Sequence, residues 1–260
     1  MADKSSLAVS ILLLTLILTA CGPRRVGLPS GAGTPAPDFA PAYAAARAAC
    51  ESVRTFQAEL SLSGRAAGQR VRGRVLGGFV PGALRLEGVA PFGAPVFILV
   101  ADGPRGTLLL SRERRVVRDE APEEILNALI GLRLGADDLR ALLTGCVKAS
   151  AEAASARAYG PDWMAVELAS GGTVYLNRVG GTWRIVAGRY GGLEIDYTAF
   201  DGDRPSQITL RGKDLNLGLT VSQAEVNGDL PRDQLVALKI PDGVEPLSLD
   251  ELRGAGPLGR

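Results

Sequence analysis

The side chains that most often carry out catalysis are scarce in this sequence of 260 residues. It contains no histidine and only three cysteines. The lack of histidine excludes the Ser-His and Cys-His arrangements of nucleophilic catalysis and excludes metal sites with imidazole ligands. Three thiols are too few for a four-thiolate zinc or iron–sulfur centre within one chain. We therefore predict a protein that is not an enzyme and holds no cofactor or metal.

Two pairs of adjacent carboxylates remain as candidates for acid–base chemistry, Glu123-Glu124 and Asp137-Asp138. Each pair stands where a helical pattern of apolar residues begins. Acidic side chains are favourable there because the amino end of a helix carries a partial positive charge. We interpret both pairs as helix starts.

One cysteine lies in a context that predicts a covalent modification. Lys4 precedes an apolar run over residues 7–18, which leads into the sequence LTACG around Cys21. This run is shorter than the about 20 residues that span a bilayer as a helix, but it suits a secretory signal peptide. LTACG resembles the lipobox of bacterial lipoproteins, which implies cleavage after residue 20 and attachment of lipid to Cys21. The alternative is a buried N-terminal helix with a chance cysteine.

Composition predicts a folded body behind a flexible tether. Apolar residues make up 46% and charged residues 22% of the chain, a balance typical of globular domains. The net charge of +1 gives no reason to expect nucleic-acid binding. Residues 21–41 contain nine glycines and prolines, which predicts a linker between the lipidated cysteine and the domain.

The spacing of apolar residues predicts one helix, a run of strands, a helical pair and a second run of strands. Apolar residues recur every three or four positions in the segment 41–56, as on one face of a helix. The period then changes to two, which is typical of strands with one buried face. Helical spacing returns at 122–130 and 137–146, and strands resume at about Tyr159. We expect about five strands before the helical pair and about six after it.

This order of elements predicts a mainly β (α+β) domain. Antiparallel strands joined by short glycine turns form a meander, and a sheet with one apolar face curls into a partial barrel. The two helices then fill or cap the opening.

Several short strings resemble, in their order, the bacterial lipoprotein-localisation family of LolA and LolB. They are LRL at 84–86 leading to APFGAPV at 90–96, EEIL at 123–126 leading to LIGL at 129–132, residues 135–143, and WRIV at 183–186. The resemblance covers residues 42–227. It implies a single unclosed antiparallel β-barrel with an N-terminal helix and a two-helix lid over a hydrophobic cavity that holds the acyl chains of lipoproteins in transit.

The resemblance also implies a loop that engages the membrane. In LolB the loop at the Pro-x-Gly string carries a protruding apolar residue, and the matching loop here contains Pro91, Phe92 and Gly93. Phe92 has suitable chemistry because burying a phenylalanine side chain is favourable by about 1.5–3 kcal/mol. The alternative is that Phe92 packs beneath the turn as part of the core.

A curled sheet with an apolar concave face must either fill the enclosed volume or bind something apolar. Aromatic residues make up only 5% of the chain, so flexible aliphatic side chains would line the space and suit acyl chains. For each lining residue the alternative is an ordinary place in the core. The predicted lining residues come from strands and helices: Leu60, Leu62, Leu84, Leu86, Ile98, Leu108, Leu110, Leu126, Leu129, Leu139 and Leu142.

The chain departs from the family pattern in its long tether, in an extension over residues 228–260, and in Cys50 and Cys146. Both cysteines lie on apolar faces of predicted helices, and a secretory signal implies an oxidising compartment. A disulfide between them would join the first helix to the end of the lid and limit its opening. Two buried free thiols are the alternative.

A row of arginines, Arg70, Arg72 and Arg74, occupies one face of a predicted strand. Such a row can contact anionic lipid or an acidic partner protein. The alternative is a solvated strand face that protects a sheet edge from unwanted pairing.

Three functions remain open at this point. The first is a lipid-anchored receptor that accepts acylated lipoproteins from a LolA-like periplasmic carrier and releases them into the outer membrane. Gly22 after the lipidated cysteine is compatible with the periplasmic face of that membrane. The second is a carrier of phospholipid or glycolipid, and the third is a structural or sensing envelope lipoprotein whose cavity is filled by its own side chains. The contents of the cavity distinguish them.

Overall fold

A computed structural model describes residues 25–90 and 95–255 of the chain. The predicted signal peptide, Cys21, and the loop residues Pro91, Phe92 and Gly93 lie outside the described residues. Within the described ranges the chain forms fifteen strands of one sheet and five helices.

The first half of the sheet is a meander of six strands that pair in chain order. Each strand is antiparallel to the next. Ala67 and Gly68 have φ angles of 47° and 75°, which suit the two-residue turn that joins the first two strands. The strands are β2 (Phe56–Ala66), β3 (Gln69–Val80), β4 (Ala83–Val89), β5 (Phe97–Asp102), β6 (Arg105–Leu110) and β7 (Arg115–Glu120).

The second half is a meander of seven strands that ends beside the start of the first half. Its last strand pairs with β2, and this pairing joins the two halves into one sheet. The strands are β8 (Ala153–Tyr159), β9 (Trp163–Leu168), β10 (Thr173–Val179), β11 (Thr182–Tyr190), β12 (Leu193–Asp201), β13 (Arg204–Gly212) and β14 (Leu215–Val226).

Two very short strands form the edges of the sheet. β1 (Thr34–Pro35) pairs with β8, and β15 (Glu245–Pro246) lies parallel to β7. In the described part of the chain no hydrogen-bonded ladder joins these edges, so the barrel is unclosed. The predicted fold class is confirmed.

The helical pair crosses the open side of the barrel because it connects β7 with β8, which lie near opposite edges. The helices of the chain are α1 (Ala40–Glu51), α2 (Pro122–Ile130), α3 (Ala136–Thr144), α4 (Arg232–Val236) and α5 (Leu249–Ala255). The carboxylate pairs Glu123-Glu124 and Asp137-Asp138 lie in the first turns of α2 and α3, as interpreted from the sequence. Gly131 and Gly145, both with positive φ, end these two helices.

The main core lies between the concave face of the sheet and the helices. β2 shows the alternation that builds it, since Phe56, Ala58 and Leu60 are buried while Gln57 and Glu59 are partly exposed. The apolar stripes of α2 and α3 face the same core. Both helices together with the sheet therefore enclose the interior.

The strand count differs from the sequence prediction, with six and seven strands in the two runs instead of about five and six. β8 begins at Ala153, ahead of the predicted start near Tyr159. The segment is rich in alanine and serine and has no alternation of large apolar residues, so no sequence signal marked it. Pairing with β9 specifies it as a strand instead.

The C-terminal extension packs against the barrel over residues 228–255. Leu235 of α4 is buried against Gly78 of β3, and Arg232 donates a hydrogen bond to the carbonyl of Pro81 at 2.7 Å. Leu252 of α5 is 2% exposed and belongs to the main core. α5 also packs on α2, so the extension covers one of the two lid helices.

Candidate functional site

An apolar cavity of about 70 Å³ lies between the concave face of the sheet and the lid helices. Alternation along the strands turns every second side chain toward it, and the stripes of α2 and α3 close it from the other side. Every lining side chain is apolar. They are Leu60, Leu62, Val71, Val75, Leu86, Phe97, Leu99, Leu126, Leu129, Ile130, Leu132, Leu139, Leu210, Leu217 and Leu219.

The cavity is small in this closed arrangement. Pockets for drug-sized ligands have volumes of about 300–1,000 Å³. A long acyl chain therefore enters only if the lid helices move or the side chains rearrange.

The predicted lining residues divide into three groups. Leu60, Leu62, Leu86, Leu126, Leu129 and Leu139 line the cavity. Leu84, Leu108 and Leu142 have no exposed surface and lie in the surrounding core, and Leu110 packs at the edge of that core. Ile98 lies on the convex face, because it alternates with Phe97 and Leu99 and pairs with Glu87 and Leu109.

Sequence reasoning missed the contribution of the second half of the sheet. Leu217 and Leu219 alternate in β14, and that alternation was visible in the sequence. Their place beside Leu60 and Leu62 depends on the pairing of β14 with β2, across more than half of the chain. No local sequence pattern predicts a strand pairing between residues so far apart in the chain.

A second, larger cavity of about 290 Å³ adjoins the first and is here called the mouth. It is lined by residues 70–75 of β3, by Gly88 and Val89 of β4, and by Leu62, Val96 and Phe97. Leu62, Val71, Val75 and Phe97 line both the mouth and the apolar cavity. The two spaces are therefore neighbours that share an apolar wall.

The mouth exists because β4 is shorter than β3. Val89, the last residue of β4, pairs with Arg74, whereas β3 begins at Gln69. Residues 69–73 thus extend past the end of β4 and pair only with β2 in the described part of the chain. At this free edge, side chains from both faces of β3 reach the same space. The ring of Phe97 lies directly over Gly88, where a Cβ atom would overlap it.

The three arginines predicted to form a row, Arg70, Arg72 and Arg74, all line the mouth. Arg74 forms an ion pair with Glu59 at 3.5 Å. Arg70 and Arg72 are exposed, and among the described residues neither has a carboxylate within ion-pairing distance. Arg65, which lies opposite Arg70 in the pairing of β2 with β3, adds another positive charge nearby.

The end of α3 is fixed to the rest of the protein. A disulfide joins Cys146, just after α3, to Cys50 of α1, with the two Cα atoms 5.7 Å apart. The Tyr197 hydroxyl donates to the carbonyl of Leu142 at 2.9 Å and accepts from the amide of Val147 at 3.1 Å. Burial raises the pKa of this hydroxyl, so it stays protonated and can donate.

The beginning of α3 is held as well. Asp137 accepts a hydrogen bond from the amide of Gly82 at 3.1 Å, and Arg140 donates to the carbonyl of Val53 at 2.6 Å. The main contacts of α3 run to α1, β3, β4 and β13. α3 is therefore fixed to the barrel at both of its ends.

α2 is held differently. Its main contacts run to β6 and to α5 of the C-terminal extension. Glu124 of α2 pairs with Arg133 and, at 3.7 Å, with Arg253 of α5. Hydrogen bonds from the backbone amide and hydroxyl of Ser248, and then from Arg115, lower the pKa of Glu251 to about 2 and hold the start of α5.

Comparison with protein-family models and with curated proteins finds no match. Solved structures do match. One of them is a LolA superfamily protein. The protein of this superfamily from Nitrosomonas europaea is 13% identical with a TM-score of 0.49, over 76% of this chain and 97% of that one.

Two further structures show the same range of similarity. A putative outer membrane lipoprotein-sorting protein domain from Vibrio parahaemolyticus is 10% identical with a TM-score of 0.47, over 74% of this chain and 94% of that one. The Mycobacterium tuberculosis lipoprotein LppX is 9% identical with a TM-score of 0.33, over 75% and 98%. Identities this low give no basis for transferring a function.

Residues 25–90 and 95–255 contain no cluster of three or more histidine, cysteine, aspartate or glutamate side chains that could hold a metal ion. Within the same ranges, no helix combines the length and apolar character needed to cross a membrane.

Proposed function

We propose that this chain is a lipid-anchored envelope protein that binds acyl chains between its sheet and its lid, and that it accepts lipoproteins for insertion into the outer membrane. The observation that carries the proposal is the cavity whose lining is entirely apolar and which shares four of its lining residues with the mouth. An acyl chain has no hydrogen-bonding groups, so it matches such a lining without leaving a buried polar group unpaired.

Binding requires the closed cavity to widen, because its volume of about 70 Å³ is too small for a whole acyl chain. α3 cannot move far from the sheet while the disulfide is intact. α2 contributes Leu126, Leu129 and Ile130 to the lining, and no disulfide among the described residues joins it to the barrel. We therefore assign the opening movement to α2.

The proposal includes two contacts with the membrane that lie outside the described residues, the lipid on Cys21 and the insertion of Phe92. Val89 and Val96, which flank the loop that contains Phe92, line the mouth. An acyl chain that leaves through the mouth would therefore emerge beside this loop. We expect Phe92→Glu to abolish transfer of lipoproteins to the membrane while circular dichroism and the unfolding midpoint stay unchanged; a loss of folding would instead assign Phe92 to the core.

The direct test is photo-crosslinking in the native host. A photoreactive residue replaces Leu86, which lines the cavity, and as a matched control replaces Ile98, which lies on the convex face. Mass spectrometry then identifies the adducts. Acylated lipoproteins crosslinked from position 86 but not from position 98 would support the receptor role.

The small closed volume favours one competing function, a structural or sensing lipoprotein with a filled core. The structural or sensing function would replace the proposed receptor function if neither position produced an adduct in a folded, anchored protein. Adducts with free phospholipid or glycolipid alone would instead identify a lipid carrier. Each outcome of the experiment thus supports or excludes the receptor.

A further inference from the structure

The mouth is lined by apolar side chains and by arginines, and one class of ligand matches both. Its inner wall is apolar and is shared with the apolar cavity at Leu62, Val71, Val75 and Phe97. Arg70, Arg72 and Arg74 also line the mouth, and all three are exposed. A molecule that fills both parts has an apolar chain joined to an anionic head.

We infer that the mouth is a headgroup site, in which Arg70 and Arg72 bind the anionic phosphate headgroup of an amphiphile whose acyl chain lies in the apolar cavity. This inference rests on the proposed binding of acyl chains, and it adds a second class of cargo, a free lipid with a phosphate headgroup, to the acylated lipoproteins of the proposed function. The two arginines lie on the convex side of β3 and line the mouth, at a stretch of β3 that has no partner in β4 among the described residues.

The electrostatics of the rim support an anionic partner. Four arginines, at positions 65, 70, 72 and 74, lie on the convex side of the β2–β3 pair, and Glu59 neutralises Arg74. Arg65 uses one nitrogen to donate to the carbonyl of Gly68 at 3.0 Å. Arg70 and Arg72 are therefore the side chains on this rim with the most donors available. Guanidinium groups bind phosphate oxygens in pairs, which gives both orientation and strength.

The position of the arginines argues for a ligand that spans both spaces. An ordinary solvated strand face would show the same alternation of arginine and valine, but its two sides would be separated by the neighbouring strand. Here the described residues of β4 end at Val89, opposite Arg74. The valine side and the arginine side of β3 consequently line one continuous space.

The test compares ligands with one chain and different heads. The full chain carries Cys21→Ser, so that no lipid of its own can occupy the cavity. Dodecyl phosphate, dodecylphosphocholine and dodecyl maltoside, each below its micelle concentration, displace the neutral dye Nile red. We expect dodecyl phosphate to bind about tenfold more tightly than dodecyl maltoside, a preference that high salt removes.

Substitution of the rim identifies the site. Arg70→Gln/Arg72→Gln should bring the affinity for dodecyl phosphate to within about twofold of that for dodecyl maltoside and leave the latter unchanged. The matched control is Arg54→Gln/Arg105→Gln, which removes the same charge from two exposed arginines at the other ends of the strands. The control should retain the preference.

Several outcomes would overturn the inference. Equal affinities for all three heads in the unsubstituted chain would show that only the acyl chain is recognised, and the proposed function would stand without a headgroup site. Failure of every amphiphile to displace the dye would remove the proposed function itself. If the Arg70→Gln/Arg72→Gln variant lost affinity equally for all three amphiphiles, the arginines would have a structural role.

Two further arms separate the possible sources of the anion. Inorganic phosphate at the concentration of dodecyl phosphate should leave the preference intact; if it abolishes the preference, the site binds free phosphate. Vesicles of phosphatidylcholine with phosphatidylglycerol test a membrane surface as the partner. If the Arg70→Gln/Arg72→Gln variant loses vesicle binding but keeps its preference for dodecyl phosphate, the arginines contact the bilayer and the headgroup site is excluded.

Discussion

The two lid helices have similar lengths and similarly buried apolar stripes, yet the protein holds them in different ways. α3 is tied to α1 by the disulfide, to β12 by the Tyr197 hydroxyl and to the turn before β4 by Asp137. α2 rests on β6 and on α5, through packing and through ion pairs of Glu124. Apolar burial thus places both helices over the cavity, and the specific ties decide which of them can leave.

This contrast also indicates a role for the C-terminal extension, which covers α2 with α5. A short helix such as α5 has little stability of its own, because helices under about 12 residues are marginal in water. Its docking depends on Leu252 and on contacts with Arg115 through Glu251. Since α5 covers α2, its undocking is the first step that would free α2. The following predictions test whether the two helices differ as described.

The largest effect is expected from removing the disulfide. Cys50→Ala/Cys146→Ala opens a loop with a sequence separation of 96 residues, and loops of this size correspond to a loss of about 3–5 kcal/mol in the free energy of unfolding. Urea unfolding measures the loss. Amide exchange in α3 should rise to the level found in α2. Dithiothreitol should destabilise the unsubstituted chain and leave the double variant unchanged; equal stability of the two proteins would contradict the fixed end.

Truncation of the α5 anchor should free α2 alone. Leu252 is 2% exposed, and Leu252→Ala should weaken the docking of α5 by about 2–3 kcal/mol through lost packing. Hydrogen exchange should therefore accelerate in α2 and α5 by more than about tenfold, with α3 unchanged. Leu76→Ala, at a leucine that is 46% exposed on the convex face, is the control. Faster exchange in both lid helices would show that they move together.

Removal of one hydroxyl tests the polar tie of α3. Tyr197→Phe leaves the Leu142 carbonyl and the Val147 amide without their buried partner. The expected loss is about 1–2 kcal/mol in the free energy of unfolding, measured by urea titration. Tyr159→Phe removes a partly exposed hydroxyl and should change the stability little. If Tyr197→Phe were as stable as the unsubstituted chain, the hydroxyl would not hold the lid.

The smallest effect is a pH dependence confined to α5. Glu251 has a pKa lowered from its ordinary value of 4.5 to about 2 by Ser248 and Arg115. A carboxyl with a lowered folded-state pKa stabilises above its unfolded pKa, and this contribution is lost as the pH falls from about 4.5 toward 2. Limited proteolysis at acid pH should cut near α5 first. At neutral pH, Glu251→Gln should be cut near α5 to the same extent as the unsubstituted chain at acid pH. If the variant kept the pH profile of the unsubstituted chain, the dependence would belong to another group.

Sequence reasoning reached the architecture because local patterns carry it. The change from a period of three or four to a period of two near Phe56 separates α1 from β2, and the return of helical spacing at 122–130 and 137–146 marks the lid helices. The sequence did not predict β8 because the small residues over 153–159 bury little surface and show no alternation. Ile98 was assigned to the cavity because the segment is apolar on both faces, and only the pairing register shows which face each side chain takes.

The amino-acid sequence by itself determined the lack of imidazole chemistry, the alternation of apolar residues and the two helix starts, since these depend on residue type and near neighbours. Tertiary structure alone decided the pairing of β14 with β2, the closeness of Cys50 to Cys146, and the early end of β4 that lets the Val71 and Arg70 sides of β3 line one mouth. These features join residues far apart in the chain. Their free energies depend on the burial of the whole concave face, which no local pattern records.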